Sequence, residues 1–170
     1  HTLSLHDALP IWINLHGQLR ENVYAKDLSL WIIGMLGTAG ANYMSIEYHG
    51  EGVSSLSIAE RMTIANLASE MGAKNAVFPH DDVLGKFLGD KEYEGVWADE
   101  GAKYAREIDI YLDKIYPLVA APHNVDNIKG ISEVAGIPLQ QGLIGTCTNG
   151  RIEDIRIASG ILKGKTVKDG

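Results

Sequence analysis

Apolar segments of period two alternate along this chain with longer apolar segments of period 3.6, and that alternation limits the folds open to it. Ile13 and Leu15 alternate within residues 12–19, which read as a strand. Residues 22–27 then lead into a helix. Its Leu28, Trp31, Ile32, Met35 and Leu36 fall at helical spacing on one stripe, and Gly37 and Gly40 end it. Residues 42–49 alternate again, with Met44, Ile46 and Tyr48 on one face and Tyr43, Ser45, Glu47 and His49 on the other. Ser57 and Glu60 stand three apart in a capping-box pattern that opens a helix running to Met71 and ending at Gly72. Ile58, Met62, Ala65 and Leu67 are its expected core contacts. Residues 75–79 form a short apolar strand. His80, Asp81 and Asp82 open a helix with Val83, Leu84, Phe87 and Leu88 inward, and Ile108, Ile110 and Leu112 form a further strand. Residues 90–103 read as a polar loop, with a helix as the alternative, and 116–127, with two prolines, as the most loop-like stretch. Strand and helix in alternation point to an α/β layered fold with a mainly parallel sheet.

Length and charge narrow the function. A chain of 170 residues holds one ordinary domain, or one domain and part of another. No apolar run approaches the ~18 residues of a membrane span. The net charge of −7 argues against a general nucleic-acid binder, and suits an anionic substrate only where local arginines overcome the overall field. The single cysteine excludes an internal disulfide framework and gives no sign of secretion, so cytoplasm is the default.

That cysteine lies in GLIGTCTNGRIEDIRIASGILKG, residues 142–164. The apolar run 139–144 reads as a strand, and Ile152, Ile155, Ala158, Ser159 and Leu162 recur as a helix. Thr148 or Asn149 is the expected cap, Glu153 and Asp154 suit the first turn, and Lys163 and Lys165 close the other end. Cys147 is thereby placed after the carboxyl end of a strand and just ahead of a helix N-terminus, where free N–H groups stabilise a thiolate. On composition alone, a free cysteine is more often a small buried hydrophobe. Other constellations are weaker. Glu47, His49 and Glu51 have no further metal ligand in register and read as a solvated strand end. His80 with two aspartates reads as a helix N-cap with first-turn acids. Asn66 and Glu70, four apart, share a helix face. GTCTNG lacks the endings of a phosphate loop.

The wording of these segments adds a resemblance. GTCTNGRIEDIRIASGILKG resembles the first cysteine motif of the aconitase superfamily, closest to the large-subunit branch of 3-isopropylmalate dehydratase and homoaconitase. Residues 17–52 and RMTIANLASEMGA, residues 61–73, resemble the second domain of that family, and 116–127 resemble its PxVAxPHxxDN linker. The resemblance covers residues 11–170 and implies layered α/β/α domains of the iron-sulfur type: a second α/β domain over 11–127, then the start of the third, cluster-binding domain over 128–170. It implies that Cys147 is one of three thiolates holding a 4Fe-4S cluster, with Asn149 beside the cofactor. Asn66 would hydrogen-bond near the cluster, and Glu70 would help hold the water or hydroxyl of the open iron. The implied activity is a hydro-lyase acting on a hydroxy di- or tricarboxylate, with a small swivel-domain subunit as partner and neither nucleic acid nor membrane.

Four parts of the family pattern do not occur here: the downstream Cys-x-x-Cys, the Asp-Ser-His segment of the first domain, the substrate-binding arginines, and the swivel domain with its serine base. The residues that choose the substrate lie largely outside the segment. Within the family 3-isopropylmalate dehydratase leads on the branch resemblance, and homoaconitase, dimethylmalate dehydratase and aconitase therefore stay open as alternatives. The chain opens on histidine and stops at Gly170 after a helix and turn, which reads as an internal fragment. Residues 1–10 do not continue the resemblance and read as an extraneous segment. Two other classes compete. One is a thiol enzyme using Cys147 with His49 or His123 as base. The other is an RNA binder, against which the acidic balance argues.

Overall fold

The computed structural model describes residues 9–91 and 93–166. Most of the segment 1–10, and the last four residues, lie outside the described residues. Strand and helix alternate as far as residue 111: β1 (Ile11–His16), α1 (Ala25–Leu36), β2 (Ser45–His49), α2 (Ile58–Leu67), β3 (Asn75–Val77), α3 (Asp82–Leu88) and β4 (Arg106–Tyr111). The four strands form one parallel sheet in the order β3-β2-β1-β4, with Ile13 opposite Tyr48 on one side and Ile108 on the other. The α/β class and the parallel sheet expected from the alternation are both present.

Period-two patterning decides which side of the sheet is inside. Ile11, Ile13 and Leu15 of β1, Ile46 and Tyr48 of β2 and Ile110 of β4 are buried against Leu28, Ile32 and Ile33 of α1 and Ile64 and Leu67 of α2. The other face is polar and aromatic. Trp12 stacks on His49 with ring centroids 3.4 Å apart, and Tyr104 donates a 2.9 Å hydrogen bond to Glu47, whose carboxylate also lies 3.4 Å from His49. Glu51 turns away from this pair onto His16, so the sequence trio Glu47, His49 and Glu51 is dispersed, and Glu47 and His49, expected to be solvated, are half-buried beside Trp12 and Tyr104.

Helix α1 is buried more widely than its stripe predicts. Ala25, Ser29, Leu30 and Ile33 are covered as well, while Met35 is 45% exposed. The reason is a second partner. The expected loop 116–127 contains a strand, β5 (Leu118–Ala120), which pairs antiparallel with β6 (Ile128–Gly130) and lies against α1. Pro117 and Pro122 lack N–H donors, but the residues between them retain theirs and can join a ladder. Asp27 locks the two parts together. Its buried carboxylate accepts the Tyr24 N–H and the Leu118 N–H, each at 2.8 Å, and burial raises its pKa despite those two donors. Gly34 allows the close approach of β6, since a Cβ there would stand 2.9 Å from Ile128 Cγ1.

Helix α2 begins as its sequence dictates. Ser57 Oγ accepts the Glu60 N–H, and the Glu60 carboxylate accepts the Ser57 N–H at 2.7 Å. The helix ends early, in a 3-10 turn over Ala68–Met71, and Gly72 closes it at φ 79°. Its inward face matches the expectation only in part: Leu67 is buried, but Met62 is 43% exposed, and Arg61, Ile64, Ala68 and Met71 complete the buried stripe. Asp81 caps α3 by accepting the Leu84 N–H at 3.0 Å. Phe87, expected inward, is 60% exposed, and no residue of α3, which packs on α2, is fully buried. Residues 93–105 carry no helix. The expected strand 139–144 is also absent. Those residues are irregular, with Leu139 and Leu143 each 85% exposed. A strand needs a neighbour to take its hydrogen bonds, and no described strand runs alongside.

Tyr48 is 1% exposed and stacks on Phe78, yet its hydroxyl has no hydrogen-bond partner among the described residues, and burial pushes its ionisation far above the usual tyrosine range. Tyr48→Phe keeps the stack and removes the unpaired hydroxyl. It should raise stability by about 1 kcal/mol, read as a higher urea midpoint at unchanged slope.

Candidate functional site

Two polar clusters are candidates. The first sits at the carboxyl ends of β1 and β4, where the order of the sheet reverses direction, the place where open α/β sheets commonly bind ligands. His16 Nε2 lies 2.8 Å from Asp109 Oδ1 and His16 Nδ1 lies 3.3 Å from Glu51. Asn14 donates to Asp109 at 2.9 Å, and the Gly17 N–H donates to Glu51 at 3.2 Å. The Asp109 hydrogen bond, aided by Glu51, raises the pKa of His16 above its ordinary 6.5. His16 and Asn14 hold Asp109 low, while backbone donors and then His16 hold Glu51 low. These groups satisfy one another, and among the described residues no group of three or more His, Cys, Asp or Glu could hold a metal ion.

The second cluster lies on the helix side of the molecule. Its foundation is Arg61, buried to 4% exposure inside α2. The guanidinium donates to Leu56 O at 3.1 Å, to Val53 O at 3.0 Å, and to both oxygens of Asp81 at 2.8 and 2.6 Å. Arg61 in turn holds the Asp81 carboxyl below the usual range. With the inward face of α2 pinned, Asn66 stands on its outer face and Glu70 on the following turn, both exposed.

The cysteine segment comes to meet them. Thr146–Asn149 forms its own short helical turn, α4, and the long helix α5 (Ile152–Leu162) starts only after Gly150 and Arg151. Cys147 therefore does not sit at the N-terminus of α5. The cap position belongs to Arg151, whose N–H donates to Asp154 at 3.0 Å. Neither Thr148 nor Asn149 is free to cap: Thr148 is 8% exposed, and the Asn149 side-chain oxygen accepts from Lys26 Nζ. Thr146 takes a left-handed backbone at φ 69°, costly for a β-branched residue and a form of strain that clusters at functional sites. The exposed Cys147 thiol donates to Asn66 Oδ1 at 3.3 Å, across 81 residues of sequence, and Arg151 Nε lies 3.4 Å from Thr63 Oγ1. Glu70, Lys26, Thr63, Thr148, Asn149 and Arg151 line one cavity of about 1000 Å³.

The structure thus brings Cys147 onto Asn66 and sets Glu70 and Asn149 on the wall of an adjoining cleft. Among the described residues no imidazole is hydrogen-bonded to the thiol, and of the two candidate bases His49 is stacked on Trp12 on the far face of the sheet. The sequence reading missed Arg61, Lys26 and Thr63. Two of them carried a signal. Arg61 interrupts the apolar stripe of α2, and Lys26 is a cation in the first turn of α1, where the helix dipole opposes it.

Comparison with known proteins settles the family. The family model described as "Aconitase family (aconitate hydratase)" matches residues 1–135. The chain belongs to the aconitase family. A probable methanogen homoaconitase large subunit of Methanosarcina mazei is 46% identical over 158 residues, spanning 91% of this chain and 40% of its own. The 3-isopropylmalate dehydratase large subunit 2 of Archaeoglobus fulgidus is 47% identical over 162 residues, spanning 93% and 39%. A coverage of 93% of a 170-residue chain necessarily takes in Cys147, so this aconitase-family likeness includes the cysteine turn. The same-named large subunit of Clostridium kluyveri is 47% identical, spanning 90% and 37%. The chain spans about two fifths of the length of these relatives.

Two predictions follow from the clusters. Arg61→Met leaves two carbonyls without their donor and Asp81 with only the Leu84 N–H, and should cost about 3–5 kcal/mol, measured by denaturant unfolding. The raised His16 contributes stability that is fully present below pH 6.5 and is lost as pH rises through its folded value. The lowered Asp109 and Glu51 contribute above their ordinary 3.8 and 4.5 and lose that contribution as pH falls through their folded values. The stability difference between wild type and His16→Gln should accordingly shrink as pH is raised above 6.5, and parallel melting profiles would contradict it.

Proposed function

We propose that this chain is part of the large subunit of an iron-sulfur hydro-lyase that dehydrates or isomerises a hydroxy di- or tricarboxylate. The observation that carries the reading is the 3.3 Å approach of Cys147 to Asn66, beside a cleft walled by Glu70 and Asn149. 3-isopropylmalate dehydratase leads, because two of the three relatives named above bear that name, and homoaconitase stands beside it at nearly equal identity. In this reading residues 11–127 form a second domain and 128–170 begin a third, the partner is a small subunit, and the setting is cytoplasmic. Among the described residues no helix is long and apolar enough to cross a membrane.

The donor set fits one corner of the implied cofactor. A 4Fe-4S cluster is held by cysteine thiolates, and this chain has one cysteine, exposed and next to a polar amide. The remaining thiolates must come from outside these 170 residues. Such a cluster supplies a Lewis-acidic iron that polarises the bond between carbon and the departing oxygen. The residues of this chain supply the surroundings. Cys147 is a ligand once deprotonated. Asn66, its oxygen then released from the thiol, orients polar groups beside the sulfur. Glu70 accepts or returns a proton at the departing or entering water. The lining carboxyl groups Asp27, Glu60, Glu70, Glu153 and Asp154 outnumber Lys26 and Arg151, so an anionic substrate needs cations from elsewhere in the complete enzyme.

Anaerobic reconstitution with iron and sulfide tests this in two arms. The isolated chain should show no cluster absorption band. A relative's large subunit carrying residues 11–166 in place of its matching segment, together with its small subunit, should show the band and turn over 3-isopropylmalate. Glu70→Gln in that protein should lower kcat by about 10²–10⁴ with the band retained. A stoichiometric cluster on the isolated chain, or a loaded but inert hybrid, would overturn the reading.

A further inference from the structure

The cysteine turn cannot hold its own position. Helix α4 is one turn long, and a single turn has no intrinsic stability. The residues leading into it are irregular and largely exposed. Its placement therefore rests on contacts made to other elements. Two of these go to α2, Cys147 to Asn66 and Arg151 to Thr63. The third goes to α1 and is the one in which a full charge meets α4 itself: the Lys26 ammonium donates to Asn149 Oδ1. Lys26 occupies the first turn of α1, where a cation opposes the helix dipole, so an interaction beyond its own helix accounts for its placement there.

We propose that Lys26 is a positioning residue that latches the cysteine turn to α1 and sets the orientation of the Asn149 amide. A lysine can only donate, so Asn149 must present its oxygen to Lys26 and turn its two N–H donors away from α1. With the turn latched at this point and at Asn66, neither slide nor rotation of α4 is free, and the Cys147 sulfur stays over the outer face of α2. That this turn serves a cofactor rests on the function proposed above; the latch itself does not.

Amide hydrogen exchange on the full 170-residue chain separates the two. Lys26→Met should speed exchange across residues 146–151 about ten-fold, the factor expected for one lost charge-assisted hydrogen bond. Asn149→Ala should do the same, and the double variant should add nothing further. Lys26→Arg, which retains charge and donors, should restore exchange to within about two-fold of wild type. Exchange in β1, β2 and α2 should be unchanged throughout. No acceleration in Lys26→Met, failure of Lys26→Arg to restore protection, or acceleration spread over the whole chain would each overturn the latch. None of these readouts needs a cluster or a substrate. A failed reconstitution would therefore leave the latch standing, and an active hybrid with an unlatched turn would refute the latch alone.

Discussion

The buried guanidinium of Arg61 is the constraint on which the candidate site depends. Removing such a charge from water is expensive, and the cost is offset only if each donor finds a partner. Here it finds two backbone carbonyls in the segment before α2 and a carboxylate that also caps α3. Phe78 lies 5.9 Å from the guanidinium carbon and stacks on Tyr48 of the central sheet. Any rotation of α2 about its axis would break this set at once. Asn66 lies five residues further on, about 140° round the helix from Arg61, so fixing Arg61 inward fixes Asn66 outward.

A second constraint acts from the other side. Asp27 ties the start of α1 to β5, and Gly34 lets Ile128 of β6 lie close on the same helix. α1 is thereby held between the sheet and the β5–β6 pair. Its first turn, with Lys26, becomes a rigid platform facing the cysteine turn. The site is thus assembled from two immobilised helices and one short turn that has little hold of its own. The polar cluster at the carboxyl ends of β1 and β4 occupies the position that sheet topology favours for ligands, but its groups are spent on one another. Topology and chemistry here point to different corners of the molecule, and the chemistry carries more weight, because function resides in particular side chains rather than in a fold.

Local signals in the sequence were reliable where the interaction is local. The Ser57–Glu60 cap, the Gly72 stop and the Asp81 cap each involve residues within a few positions of one another, and each stands as the sequence predicts. Periodicity was less reliable at the ends of the stripes. Met35, Met62 and Phe87 match the apolar pattern yet face outward, because helix spacing says which residues share a face and not where a neighbouring element stops. The run 139–144 is apolar enough for a strand, but a strand is a relation between two segments and no described strand accompanies this one.

The amino-acid sequence by itself determined the alternation of strands and helices from β1 to β4, the caps of α2 and α3, and the short list of candidate residues Cys147, Asn149, Asn66 and Glu70. The elements and caps follow from interactions that span a turn or a pleat, whereas the candidate residues follow from the resemblance of their segments to the family's motifs. Only the tertiary structure decided that Arg61 lies inside, that the cysteine occupies its own turn apart from α5, and that Lys26 reaches Asn149. It also decided that Cys147 meets Asn66 across 81 residues of chain. Contacts of that range depend on how several packed elements fit together, and no local pattern encodes them.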